Sequence, residues 1–142
     1  LSDLSHDWEL DHLLDELPGK KHIFTNGTVS HAKNILNAYG IRKHFDNIFD
    51  IVAADYIPKP ELYAFDRFVA KTNIDPKRAI MIEDMAANLK PAAALGMQTV
   101  WLVSKQEWAK KGSNDPHIHF KAEDIKEFLR NFLDRKKTSD QM

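Results

Sequence analysis

Apolar residues along this chain recur in two alternating rhythms. Trp8, Leu10, Leu13, Leu14 and Leu17 keep the three- and four-residue spacing of an amphipathic helix, and Pro18-Gly19 closes it. Residues 20–25 then read as a strand running into the turn pair Asn26-Gly27. Ser30 is the expected cap of a helix carrying Ala32, Ile35, Leu36 and Tyr39, with Gly40 at its end. The order then returns: a strand over residues 49–55, the segment Pro58-Lys59-Pro60, and a helix with Leu62, Phe65, Phe68 and Val69 on one face. Asp75-Pro76 breaks the chain before a third strand over 79–83. Pro91 requires the following helix either to start late or to bend. Gly96 closes that helix, residues 99–103 form a fourth strand rich in β-branched and aromatic residues, and 104–120 read as a polar connection. Ile125, Phe128, Leu129, Phe132 and Leu133 line a last amphipathic helix, and residues 138–142 are expected to fray.

Strands alternating with helices predict an α/β fold. The expectation is one three-layer, doubly wound (Rossmann-like) domain with a parallel sheet, each crossover placing a helix on a sheet face. Its parts are an N-terminal helix over 1–19, a core over 20–137 and a tail over 138–142. The chain's 142 residues, 43% of them hydrophobic and 29% charged, suffice for one such core. Twenty basic against 21 acidic residues leave a formal charge of -1, which offers no basic field for nucleic acid or an anionic membrane. With no cysteine, disulfides and thiolate metal sites are excluded. No transmembrane-length apolar run or secretory signal occurs, so a cytoplasmic location is the expectation.

Chemistry concentrates where the first three strands end. The apolar run Ala79-Ile80-Met81-Ile82 stops at two adjacent carboxylates, Glu83 and Asp84, with no cation beside them in sequence. Such a pair either caps the next helix or shares a hard divalent ion, and Asn88 is spaced to return to the same spot. The first strand ends at Thr25 with the amides of Asn26 and Gly27, and Lys59 follows the second. In a parallel sheet such ends face one crevice, where a hydroxyl with amides, an ammonium and a carboxylate-bound Mg²⁺ would suit a phosphate. Asp3, Asp7, Asp11 and Asp15 form an acidic stripe read as a solvated face. His117 and His119 are read as a surface pair, and Trp101 and Trp108 as packing residues.

Three ordered segments stand out: Ile23-Phe24-Thr25-Asn26-Gly27; Ile51-Val52-Ala53-Ala54-Asp55 with Lys59-Pro60; and Ile82-Glu83-Asp84-Met85-Ala86-Ala87-Asn88-Leu89 with Leu95-Gly96-Met97. Together they resemble the haloacid dehalogenase superfamily of phosphohydrolases, and within it most closely the pyrimidine 5'-nucleotidase branch. The resemblance runs from about Leu13 to Leu133. It implies that Thr25, helped by the Asn26 amide, holds the phosphoryl group, and that Lys59 bridges phosphate and nucleophile. Asp84 and Glu83 would place Mg²⁺, one directly and the other through water, with Asn88 in a supporting position of the same loop. The implied activity is Mg²⁺-dependent hydrolysis of a phosphomonoester, such as a nucleoside 5'-monophosphate, through an aspartyl-phosphate.

That family's first motif is an Asp-x-Asp at the end of an N-terminal strand, its first Asp the nucleophile and its second the general acid and base. No two aspartates here are separated by one residue, and the cap domain that shapes the leaving-group pocket is also absent from the sequence. The expectations are therefore a core lacking its nucleophile strand and cap, inactive alone, and either part of a longer polypeptide or completed by another chain. Homo-oligomerisation or strand exchange would serve the latter. The rival reading is a noncatalytic remnant that binds phosphate or serves in assembly.

Overall fold

The computed structural model describes residues 5–141, with side chains described as far as 138. Two compact units emerge, Leu1–Val52 with Lys126–Met142, and Ala53–Ile125.

The first unit begins with helix α1 (Trp8–Glu16), capped by Asp7, whose carboxylate accepts the Leu10 N–H. Strand β1 (His22–Phe24) leads to helix α2 (Val29–Tyr39) and strand β2 (Asn47–Phe49), which pairs in parallel with β1, Ile23 opposite Ile48. The cap of α2 is Thr28, whose hydroxyl accepts the His31 N–H, so Ser30 falls in the first turn instead. Helix α6 (Ile125–Gln141) joins this unit from Lys126 onward, with Leu129 and Leu133 buried and ion pairs Lys126–Asp7 (3.1 Å) and Arg130–Glu9 (2.7 Å). It continues through the expected tail: no Gly or Pro interrupts it, and Thr138 returns its hydroxyl to the Asp134 carbonyl.

The acidic stripe of α1 is not simply solvated. Asp11 is buried, with His44 Nε2 at 2.6 Å, His6 Nε2 at 2.9 Å and Lys43 Nζ at 3.3 Å. These partners, His44 foremost, hold its carboxyl well below the usual carboxylate range. Asp3 lies outside the described residues. Trp8 is mostly exposed, stacked on the His6 ring at 3.6 Å, while Leu13 and Leu14 carry the buried face of α1.

The second unit holds helix α3 (Leu62–Thr72), strand β3 (Ile80–Glu83), helix α4 (Leu89–Ala94) and strand β4 (Gln98–Leu102). A short helix α5 (Glu107–Lys110), strand β5 (Phe120–Ala122) and the first residue of α6 complete it. Pro91 sits in the first turn of α4, the late start of the two alternatives. Strands β3, β4 and β5 form a parallel sheet in that order, Glu83 opposite Trp101 and Trp101 opposite Lys121. The described strands thus form a two-stranded and a three-stranded parallel sheet rather than one continuous sheet. No ladder joins β1 to β3 among them.

Two strand assignments change. The strand expected over 49–55 ends at Phe49, because the Asp50 carboxylate accepts the Val29 N–H and Ile51 donates to the Gly27 carbonyl. Beyond them Asp55 and Tyr56 take positive φ (55° and 63°), which ends any extended run. Conversely, the supposed polar connection over 104–120 contains α5, and its last residue, Phe120, opens β5, a three-residue strand with Lys121 at its centre. Of the supposed surface pair His119 is exposed and His117 half-buried, and both are hydrogen-bonded: the Thr99 hydroxyl donates to the His117 carbonyl, and Thr99 N–H donates to His119 Nδ1. Trp101 packs in the interior as expected, whereas Trp108 lies largely exposed. No helix among the described residues is long and apolar enough to cross a membrane.

Candidate active site

Of the predicted site residues, Thr25, Asn26 and Gly27 belong to the first unit, and Lys59, Glu83, Asp84 and Asn88 to the second.

Thr25 directly follows β1, held by its N–H to the Phe49 carbonyl at 2.9 Å. Its hydroxyl oxygen accepts the Gly27 N–H at 2.9 Å, folding the turn over the hydroxyl while leaving the O–H hydrogen to be donated elsewhere. The Gly27 amide, expected to face a phosphate, is thus directed at Thr25. A Cβ at Gly27 would stand 3.3 Å from that same oxygen, so the missing side chain is what lets the turn close so tightly. Asn26, at the tip, is exposed.

In the second unit Lys59 and Glu83 meet. Lys59 Nζ lies 2.6 Å from Glu83 Oε2, with the two side chains 5% and 11% exposed. The carboxylate pair that carries no cation beside it in sequence therefore receives one from 24 residues upstream. Burial raises the Glu83 pKa above its ordinary value; Lys59 opposes that shift, and the Asp84 carboxyl adds to it. The other Glu83 oxygen accepts the Met85 N–H at 3.4 Å. With Glu83 committed to Lys59, Asp84 is the exposed carboxylate of the pair, and its backbone carbonyl is anchored by the Trp101 indole N–H at 2.7 Å. The helix-cap reading loses ground, since α4 begins at Leu89 without a side-chain cap.

Asn88 closes the 3-10 turn Ala86–Asn88; it is 2% exposed, and its Oδ1 has no hydrogen-bond partner among the described residues. A buried acceptor without a donor costs about 1–3 kcal/mol, which marks it as a place for a group the folded chain does not supply. Among the described residues no three His, Asp or Glu side chains gather into a metal-binding cluster. One exposed carboxylate, Asp84, fits Mg²⁺, which takes one or two carboxylates and keeps water and substrate ligands, and does not fit a four-coordinate zinc centre.

A family profile described as haloacid dehalogenase-like hydrolase matches residues 4–96, well over half of the chain. The chain belongs to this family. Among curated relatives, the enolase-phosphatase E1 of Frankia alni is 33% identical over 74 residues, 52% of this chain and 30% of that protein. Among solved structures, the L-2-haloacid dehalogenase of Xanthobacter autotrophicus with covalently bound chloropropionic acid superposes with a TM-score of 0.66 at 14% identity. It covers 86% of this chain and 58% of that one. The HAD phosphatase of Thermococcus onnurineus gives 0.66 at 21% identity, covering 86% and 54%. These structures share the haloacid dehalogenase-like fold, and the chain spans between about a third and three-fifths of the length of the three relatives.

Proposed function

We propose that this chain carries the phosphate- and Mg²⁺-binding part of a phosphomonoester hydrolase whose nucleophile comes from outside these 142 residues. The observation that carries the reading is the buried Lys59–Glu83 pair next to the exposed Asp84, a fixed cation and an available carboxylate at adjacent positions. Glu83 holds the Lys59 ammonium in place at 2.6 Å; Lys59 neutralises the phosphoryl oxygens of the substrate. Thr25 donates its hydroxyl hydrogen to a phosphoryl oxygen, assisted by the Asn26 amide, while Gly27 holds the Thr25 hydroxyl. Asp84 would hold Mg²⁺ directly and Glu83 through water, with Asn88 in a supporting position of the same loop. When bound, Mg²⁺ supplies charge stabilisation at the phosphoryl oxygens.

In the complete enzyme an aspartate carboxylate attacks phosphorus, forming an aspartyl-phosphate as the P–O bond to the alcohol breaks. A second aspartate gives that alcohol its proton. The same residue then takes a proton from the water that cleaves the acyl-phosphate and releases inorganic phosphate. The likeness of the three ordered segments to the pyrimidine 5'-nucleotidase branch supports a nucleoside 5'-monophosphate or a similarly small phosphate as substrate. The curated enolase-phosphatase relative supports phosphate ester hydrolysis at large.

A noncatalytic phosphate-binding or assembly module is the second reading, favoured by the lack of any Asp-x-Asp in the sequence. Phosphate release from p-nitrophenyl phosphate and uridine 5'-monophosphate with Mg²⁺ separates the two. It is measured on this chain and on a chain bearing a relative's Asp-x-Asp strand ahead of Leu1. Turnover in the complemented chain that is lost on Asp84→Asn supports the hydrolase; silence in both favours the module.

A further inference from the structure

We infer that Trp101 and His117 are positioning residues that clamp the carboxylate-bearing loop after β3 by two of its backbone carbonyls, an inference that rests on Asp84 being the metal ligand. The Trp101 indole N–H donates to the Asp84 carbonyl at 2.7 Å, and His117 Nε2 lies 2.9 Å from the Ala86 carbonyl. A carbonyl only accepts, so His117 carries its hydrogen on Nε2. The two donors reach the loop from different segments, β4 and the approach to β5.

The indole is itself immobilised. Trp101 stands opposite Glu83 in the β3–β4 ladder and packs with Ala86 and Leu89 in an apolar cluster completed by Met81 and Ile118. Ala86 and Leu89 are fully buried, so the loop is pinned from its interior side at three successive points: the Asp84 carbonyl, the Ala86 carbonyl and the Leu89 side chain. Loops at strand ends are ordinarily among the least stable parts of a fold. Fixing the carbonyl of the very residue whose carboxylate is exposed removes backbone freedom at its Cα, so the carboxylate is presented in one direction before any ion arrives. Outer-shell hydrogen bonds of this kind change metal affinity by about 10- to 100-fold when removed.

The test uses the whole chain with Mg²⁺ alone as the probe. Trp101→Phe keeps a buried ring without its N–H; His117→Leu removes the other donor; His117→Gln restores an N–H on a side chain of similar reach. Calorimetric titration is expected to show Mg²⁺ binding weakened about tenfold in W101F and H117L. In H117Q it is expected to return to within about threefold of the original. Hydrogen exchange at the amides of residues 85–88 is expected to quicken in W101F and H117L but not in H117Q. Unchanged Mg²⁺ affinity in both W101F and H117L, or H117Q as weak as H117L, overturns the inference. If the unmodified chain binds Mg²⁺ no better than Asp84→Asn does, the reading of the site fails and hydrogen exchange decides the clamp separately. Faster exchange confined to 85–88 upholds it, and unchanged exchange there in both variants removes it.

Discussion

Replacing Lys59 by Met isolates the buried ion pair. With both side chains nearly inaccessible to water, removal of the ammonium leaves Glu83 as an uncompensated buried carboxylate, which costs about 3–5 kcal/mol where the carboxylate remains ionised. A domain of this size has roughly 5–15 kcal/mol in total, so the loss should be plain in urea unfolding followed by circular dichroism. The variant can escape part of that cost by protonating Glu83, and this fixes the pH dependence. Burial already raises the Glu83 pKa above 4.5, and without Lys59 the rise must be larger. Between the unfolded and folded values the native state holds a proton that the unfolded state lacks. Stability therefore falls with rising pH by about 1.4 kcal/mol per unit, and is retained in full only below about 4.5. K59M should accordingly lie close to the unmodified protein at pH 4.5 and well below it at pH 8. The double variant K59M/E83M should recover much of the difference, since replacing both charges by apolar groups is often neutral. A K59M penalty independent of pH, or no penalty at pH 8, would refute the buried-pair argument.

Gly40 ends α2 at φ 74°, and a methyl group there would overlap the His6 ring, so Gly40→Ala should cost about 1–3 kcal/mol and lower the melting temperature by several degrees. An unchanged melting temperature would remove His6 from that position. Asn88→Ala should cost under about 1 kcal/mol, because its Oδ1 has no hydrogen bond to lose, yet weaken binding of inorganic phosphate in the presence of Mg²⁺. Equal calorimetric isotherms would count against a role in the site. Asp11, with its depressed pKa, contributes stability present above about pH 3.8 and lost as the pH falls through its lower folded value. Asp11→Asn should flatten acid unfolding in that window, and superimposable acid titrations would contradict this.

Much of this was legible from residue spacing, because the helices and the strands β1, β3 and β4 follow simple periodicities bounded by Gly and Pro. The failures are tertiary. Phe49 to Asp55 looks extended, but Asp50 and Ile51 spend their hydrogen-bonding groups on Val29 and Gly27, a contact some 20 residues away that no local pattern reveals. Strand β5, three residues long, is too short to announce itself; only its ladder to β4 defines it. Asp11 resembled its solvated neighbours until residues 43 and 44 approached it. At the site, Glu83 and Asp84 were recognisable as a pair, yet their division of labour was not. Which of two adjacent carboxylates is buried against a lysine depends on the strand register and on Trp101, and neither is visible in the run of letters.

The claim at the centre is that Asp84 and Asn88, in one loop of the second unit, serve one phosphate- and Mg²⁺-binding site. A double-mutant cycle on inorganic phosphate binding with saturating Mg²⁺, using Asn88→Ala, Asp84→Asn and the double variant, reads that coupling directly. The account predicts losses in both single variants that are far from additive in the double. Strictly additive losses, or phosphate binding untouched by either substitution, would contradict it.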